Sequence, residues 1–235
     1  MALPTMDLPM YDLEVPSTKK KIKFRPFLVK EEKVLLLALE SENEKSIRDA
    51  VFELLKACIS TRIKLENLAT FDLEYIFLNI RAVSVGEVVP MNITCRDDNE
   101  TQVKYNLNLT EAKVIFPEGH TNKIMLTDDL GVIMKYPTFD GFVEGQFTEN
   151  KDMDVIKVIA ESIDQIFQGE EVYDESTTSK KEFVKFVESL TNKQLEKVQA
   201  FFETSPRLEH SFKVTNPNTG VECEYTLEGL QSFFA

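Results

Sequence analysis

The apolar residues of this chain change their period along its length, and that switch restricts the fold more than any other feature. From Ser46, Ile47, Ala50, Val51, Leu54, Leu55 and Cys58 recur at helical spacing. A second such run starts near Thr70, through Leu73, Ile76, Phe77 and Ile80, and "SVGE" closes it with Gly86 placed to cap the helix. Then the period drops to two. Val89, Met91, Ile93 and Cys95 alternate, "RDDNE" turns, and Val103, Tyr105, Leu107 and Leu109 alternate back. A doubly wound enzyme would alternate strand and helix regularly, and this chain does not.

The same grammar recurs. Near the start, "YDLEVPSTKKKIKF" reads as a hairpin turning at Pro16-Ser17-Thr18, and Pro26 stops its second strand. The run Val34 to Leu39 is almost wholly apolar, which predicts a helix buried on several sides. "KIMLTDDLGVIMKYP" predicts a hairpin around Asp128-Asp129, and "PTFDGFVEGQFTEN" a loop. Residues 152–168 predict a helix through Ile156, Ile159, Ile163 and Ile166, followed by "GEEVYDESTT" as a polar linker. Ser179/Glu182 and Thr191/Gln194 have capping-box spacing ahead of two more helices. Phe212 and Val214, "NPNTG", then Val221, Cys223 and Tyr225 make a final hairpin before a short helix. The expected fold is therefore α+β: helical bundles with small antiparallel β-hairpins in two loosely similar halves. The expected divisions are an N-terminal part at 1–114, an irregular or β connector at 115–150, and a C-terminal part at 151–235.

A chain of 235 residues with 43% apolar content can bury a substantial core. Its 27 basic and 40 acidic residues leave a formal charge of -13, which repels nucleic-acid phosphates and anionic lipid. No nucleic-acid or membrane partner is expected. Three cysteines without a CxxC suit a reducing compartment. The amino terminus has prolines and acids where a signal peptide needs a basic start.

Motifs for chemistry are missing. No phosphate-binding glycine loop and no GxSxG occur. His120 and His210 stand apart and read as solvated or hydrogen-bonded residues. Asp97-Asp98, Asp128-Asp129 and Asp152/Asp154 lack the spacing of a calcium loop and read as turn and helix-start residues. No catalytic residue, metal ligand or cofactor is expected. Lys19, Lys20, Lys21, Lys23 and Arg25 read as a solvated turn with a lysine-guarded edge. Arg25 stands out, between Phe24 and Pro26 at the entry to a helix, where it can pair with Glu31 or with another protein.

Three stretches, "PSTKKKIKFRPFLVKEEKVLLLA", "LNIRAVSVGE" and "YTLEGLQSFF", together resemble the baseplate hub assembly proteins of T-even-like contractile-tailed bacteriophages. The resemblance implies action by protein–protein contact with other baseplate hub or tail proteins, in the host cytoplasm during assembly. It leaves two fates open: an assembly factor lost from the finished particle, or a hub subunit retained in it. It also implies CxxC at both hairpin tips, as in a zinc ribbon. Here the tips read Cys95-Arg96-Asp97-Asp98 and Asn216-Pro217-Asn218-Thr219-Gly220, so three of those four cysteines are replaced and zinc is not expected. Ordinary hydrogen bonds must then hold the turns, with Gly220 allowing a tight corner. "FRPF" reads first as a structural corner, with Phe24 and Phe27 packed on the helix bundle; on the contact reading, Phe24, Arg25, Phe27, Phe233 and Phe234 are the candidate partner-contact residues. A protein of this kind should also expose an apolar patch of several hundred Å².

Overall fold

In the computed structural model, residues 7–41, 43–138 and 155–233 are described. Among them are six α-helices and eleven strands, gathered in small antiparallel sheets, and the fold is α+β. The chain forms two compact units. One comprises residues 1–65, 71–115 and 207–235, and the other residues 66–70 and 116–206.

The first unit opens with the hairpin β1 (Tyr11–Glu14) and β2 (Lys21–Phe24). Its turn is held by buried Asp72, whose carboxylate accepts from the Ser17 amide at 2.9 Å and from the Ser17 hydroxyl. Helices α1 (Val29–Glu40), α2 (Glu44–Cys58) and α3 (Thr70–Val85) follow. Ala50, Val51, Leu54, Leu55 and Cys58 of α2 are buried along the stripe that their spacing predicts, as are Leu73, Ile76, Phe77 and Ile80 of α3. Gly86 ends α3 at φ 137°, and its amide returns to the Ala82 carbonyl at 3.1 Å. α1 departs from expectation. It packs on α2 through a narrow side, and of its side chains Leu35 and Ala38 are buried while Val29, Val34, Leu36 and Leu37 are exposed. An apolar run shows that the residues are apolar, and only packing decides what covers them.

Two long hairpins complete this unit: β3 (Val88–Thr94) with β4 (Gln102–Asn108), and β10 (Arg207–Thr215) with β11 (Glu222–Glu228). Their apolar faces share one cluster, in which Ile93, Phe212, Val214 and Tyr225 are buried and Tyr105 stacks on Phe212 at 4.1 Å between ring centroids. β10 begins five residues earlier than the Phe212 alternation suggests. Its first residues pair with β5 (Lys113–Ile115), Arg207 standing opposite Ile115.

The second unit is built on the four-stranded order β6-β7-β8-β9: β6 (Lys123–Met125), β7 (Leu130–Met134), β8 (Ile163–Gln168) and β9 (Glu171–Asp174). The hairpin around Asp128-Asp129 is present. Two expectations are corrected. Of the helix expected over 152–168, the described residues form α4 (Val155–Glu161), and Ser162 ends it because Ile163 to Gln168 pair with β7 as a central strand. The segment read as a polar linker contains β9, joined to β8 across Gly169 at φ 58°. Isoleucines three and four apart suit one helical stripe, yet β-branched residues also suit a covered strand, and tertiary pairing decides between them. The loop expected in "PTFDGFVEGQFTEN" lies, after Thr138, outside the described residues, as do Asp152 and Asp154.

α5 (Lys180–Glu188) and α6 (Asn192–Glu203) start at the two capping boxes, where Glu182 accepts from the Ser179 amide at 2.8 Å and Gln194 from the Thr191 amide at 2.9 Å. Their Phe183, Val187, Val198 and Phe201 join Leu126, Val132, Met134, Ile159, Ile163 and Ile166 in the core of this unit.

Gly131 marks the tightest point of that sheet. A β-carbon there would lie 2.8 Å from the Ile124 carbonyl oxygen and closer still to the Phe167 ring. Gly131→Ala is therefore expected to destabilise the protein by about 1–3 kcal/mol, measured by denaturant unfolding. An unchanged midpoint would show that the sheet relaxes freely.

Candidate functional site

Three places concentrate polar or exposed side chains: the corner at Arg25, the tips of the long hairpins, and the surroundings of His120.

The corner is assembled from sequence-distant parts. β2 is tied to the segment after α2 by the Ser60 amide donating to the Lys23 carbonyl at 2.9 Å and the Arg25 amide donating to the Cys58 carbonyl at 3.0 Å. The Arg25 guanidinium grips Glu31 with two bonds, 2.8 and 3.0 Å, and also donates to the Pro26 carbonyl. Glu31 in turn accepts from the Leu28 amide at 2.7 Å, so one carboxylate caps α1 and anchors the arginine. The arginine holds the Glu31 carboxyl below its ordinary range, against the opposing effect of burial, and Glu31 raises Arg25. The expected Arg25–Glu31 pair is therefore present. Phe24 is buried and stacks with Tyr11. Phe27 is half-buried, and its amide donates to the Ser84 hydroxyl at 3.0 Å. Phe233 is buried among Leu78, Leu107, Leu208 and their neighbours. The rings of Phe24 and Phe233 thus serve the interior. Phe234 lies outside the described residues. The corner leads directly into the exposed aliphatic side of α1, which the candidate contact list did not contain.

At the hairpin tips, the amide nitrogen of fully buried Asn216 donates to both Asp97 oxygens at 3.0 Å and to Asp98 at 2.9 Å. The Asn216 side-chain Oδ1 accepts from the Asn218 backbone amide at 2.9 Å. Asn218 reaches across to the Thr101 hydroxyl at 2.9 Å, and Thr219 donates to Asp97. Tyr225 adds a second tie: its hydroxyl donates to the Thr94 carbonyl and accepts from the Arg96 amide, both at 3.0 Å, and the Arg96 guanidinium lies over its ring. The Thr219 hydroxyl and the Asn216 amide lower the Asp97 pKa, and Thr101 with its neighbours lowers that of Asp98. Gly220 turns at φ 75°, with its amide on the Asn216 carbonyl at 2.8 Å. Hydrogen bonds hold both turns, as expected. The residues do not suit zinc: the group projecting to the centre is an amide N–H, a donor where a cation needs lone pairs. Among the described residues no group of three or more His, Cys, Asp or Glu side chains is placed to hold a metal.

Around His120, Thr204 donates its hydroxyl to the Ala200 carbonyl at 2.7 Å and so accepts from Nδ1–H at 2.9 Å. Nε2 is left as acceptor for the Tyr136 hydroxyl at 3.0 Å. Tyr136 and Phe201 stack on the ring, and burial lowers its pKa. His210 is buried on β10 against Phe212. Burial pushes the Cys58 thiol up to about 11 and also raises Cys95. The corner and the tips were legible in part from "FRPF" and the hairpin turns. The role of Asn216 was not, since its partners lie more than a hundred residues away.

A family model described as T4 bacteriophage base plate protein matches residues 8–235. The chain belongs to that family. The match spans both compact units. No curated protein and no solved structure matches the chain significantly. No helix among the described residues is long and apolar enough to cross a membrane. Membership of this family ties the protein to the tail base plate of a bacteriophage.

Two predictions test these sites. Asn216→Ala should cost about 2 kcal/mol in unfolding free energy through the lost charge-assisted bonds. Asn216→Asp should cost more at pH 7, by setting a third carboxylate against Asp97 and Asp98, and the gap between the two variants should narrow toward pH 4. Equal stabilities across that range would remove the tip network from the account. For His120, the folded pKa lies below the ordinary 6.5, so the folded state binds protons less readily than the unfolded chain. Its stabilising contribution is then full above 6.5 and is lost as pH falls toward the depressed value. His120→Phe keeps a stacking ring and should flatten that part of the stability–pH curve. A slope identical to wild type would refute it.

Proposed function

We propose that this base plate protein is an assembly factor for the tail hub, chaperone-like, working through contact in the host cytoplasm and making or breaking no covalent bond. The observation that carries the reading is the outer side of α1. Val29 is 81% exposed, Val34 54%, Leu36 52% and Leu37 56%, on a helix next to a rigid Arg25–Glu31 corner. Aliphatic side chains in such density cost solubility when left in water and are kept where another protein covers them. The strongly negative remainder of the surface discourages indiscriminate association. The chemistry of the potentially reactive groups agrees: the Cys58 thiol is held protonated by burial, and both ring nitrogens of His120 are engaged in hydrogen bonds.

A hub subunit retained in the virion is the alternative, and family membership supports it equally. Quantitative mass spectrometry of purified virions separates the two. An assembly factor should fall far below the stoichiometry of base plate proteins, and a stoichiometric amount would establish the subunit instead. Leu36→Asp/Leu37→Asp in the phage should stop base plate completion while leaving the purified protein folded by circular dichroism. Normal particles from that variant would remove α1 from the function.

A further inference from the structure

The outer side of α1 carries a charge pattern as well as aliphatic groups. Lys30 and Lys33 are exposed in its first half and Glu40 is exposed at its end, whereas Glu31 is committed to Arg25. With about 100° of turn per residue, Val29, Lys33, Leu36, Leu37 and Glu40 fall within one arc, bordered by Lys30 on one side and Glu32 on the other, with Val34 beyond Lys30. The arc is therefore apolar at its middle, basic toward the amino end and acidic at the carboxyl end.

We propose that this surface is covered by a second copy of the chain, with α1 antiparallel to its counterpart across a two-fold axis. A two-fold contact must be self-complementary. In the antiparallel register that sets Leu36 of one copy against Leu37 of the other, Lys33 of each faces Glu40 of the other, and the two ion pairs bracket the leucines. A parallel arrangement would set lysine against lysine and glutamate against glutamate, and is disfavoured. The charges on this arc nearly cancel, in a chain whose formal net charge is -13, so two copies approach here with less repulsion than elsewhere. The inference rests on α1 being a contact surface, and it names the occupant. α1 has 12 residues, roughly 18 Å at 1.5 Å per residue. A contact of that length is smaller than the roughly 800 Å² per partner of standard interfaces, so a dimer that dissociates at micromolar concentration is expected.

The test is sedimentation velocity of the full chain from about 1 to about 200 µM, a range that brackets micromolar dissociation. Wild type should pass from monomer to dimer. Leu36→Asp/Leu37→Asp should stay monomeric with an unchanged circular dichroism spectrum. Lys33→Glu and Glu40→Lys should each weaken the dimer about tenfold or more, and the double exchange Lys33→Glu/Glu40→Lys should return it to within about threefold of wild type. The charge variants keep the test available if the aspartates disturb folding. A wild-type monomer throughout, a dimer indifferent to these changes, or an exchange that fails to restore affinity would each overturn the proposal. A monomeric wild type would leave the assembly reading to be decided by virion composition, so the two failures are distinguishable.

Discussion

The first unit depends on one side-chain amide. Asn216 stands where two hairpins remote in sequence meet, and its side-chain N–H groups reach three carboxylate oxygens while its side-chain carbonyl shapes its own turn. Each hairpin alone is a two-stranded ribbon of marginal stability in water. Joined at the tips and packed through Phe212, Tyr225, Ile93 and their neighbours, they form a layered structure with an interior. The polar tie fixes register and the apolar face supplies most of the favourable free energy. Because the carboxylates Asp97 and Asp98 are bound in their charged form, the joint is strongest when they are ionised.

The sequence was most readable where a signal is local. Capping boxes at Ser179 and Thr191, the stripes of α2 and α3, and the turns at Pro16 and Asp128 all depend on neighbours within a few residues, and all appear in the structure. It was least readable where pairing is remote. Ile163 and Ile166 look helical until β7 is set beside them. The β5–β10 pairing and the Asp72 anchor for the Ser17 turn join segments that no periodicity connects.

The candidate contact residues divide along the same line. Phe24 is open to two readings, core or contact, because aromatics are valuable to interiors for the reason that makes them valuable at interfaces: they bury large areas on few rotatable bonds. The structure places the rings of Phe24 and Phe233 inside and leaves the neighbouring aliphatic helix outside. Arg25 likewise turns inward to Glu31 and fixes the start of that helix. The corner positions the exposed side of α1, whose outward residues are aliphatic and not aromatic.

Most of the second unit, residues 116–206, is an insertion between Ile115 and Arg207, which are paired strand neighbours. On a ribosome this gives synthesis a definite order. Nearly all of the inserted segment has emerged before β10 and β11 are made, so it can collapse on its own residues while the N-terminal strands still wait. The unit that begins first in sequence thus receives its closing strands, β10 and β11, only after the inserted segment has been made.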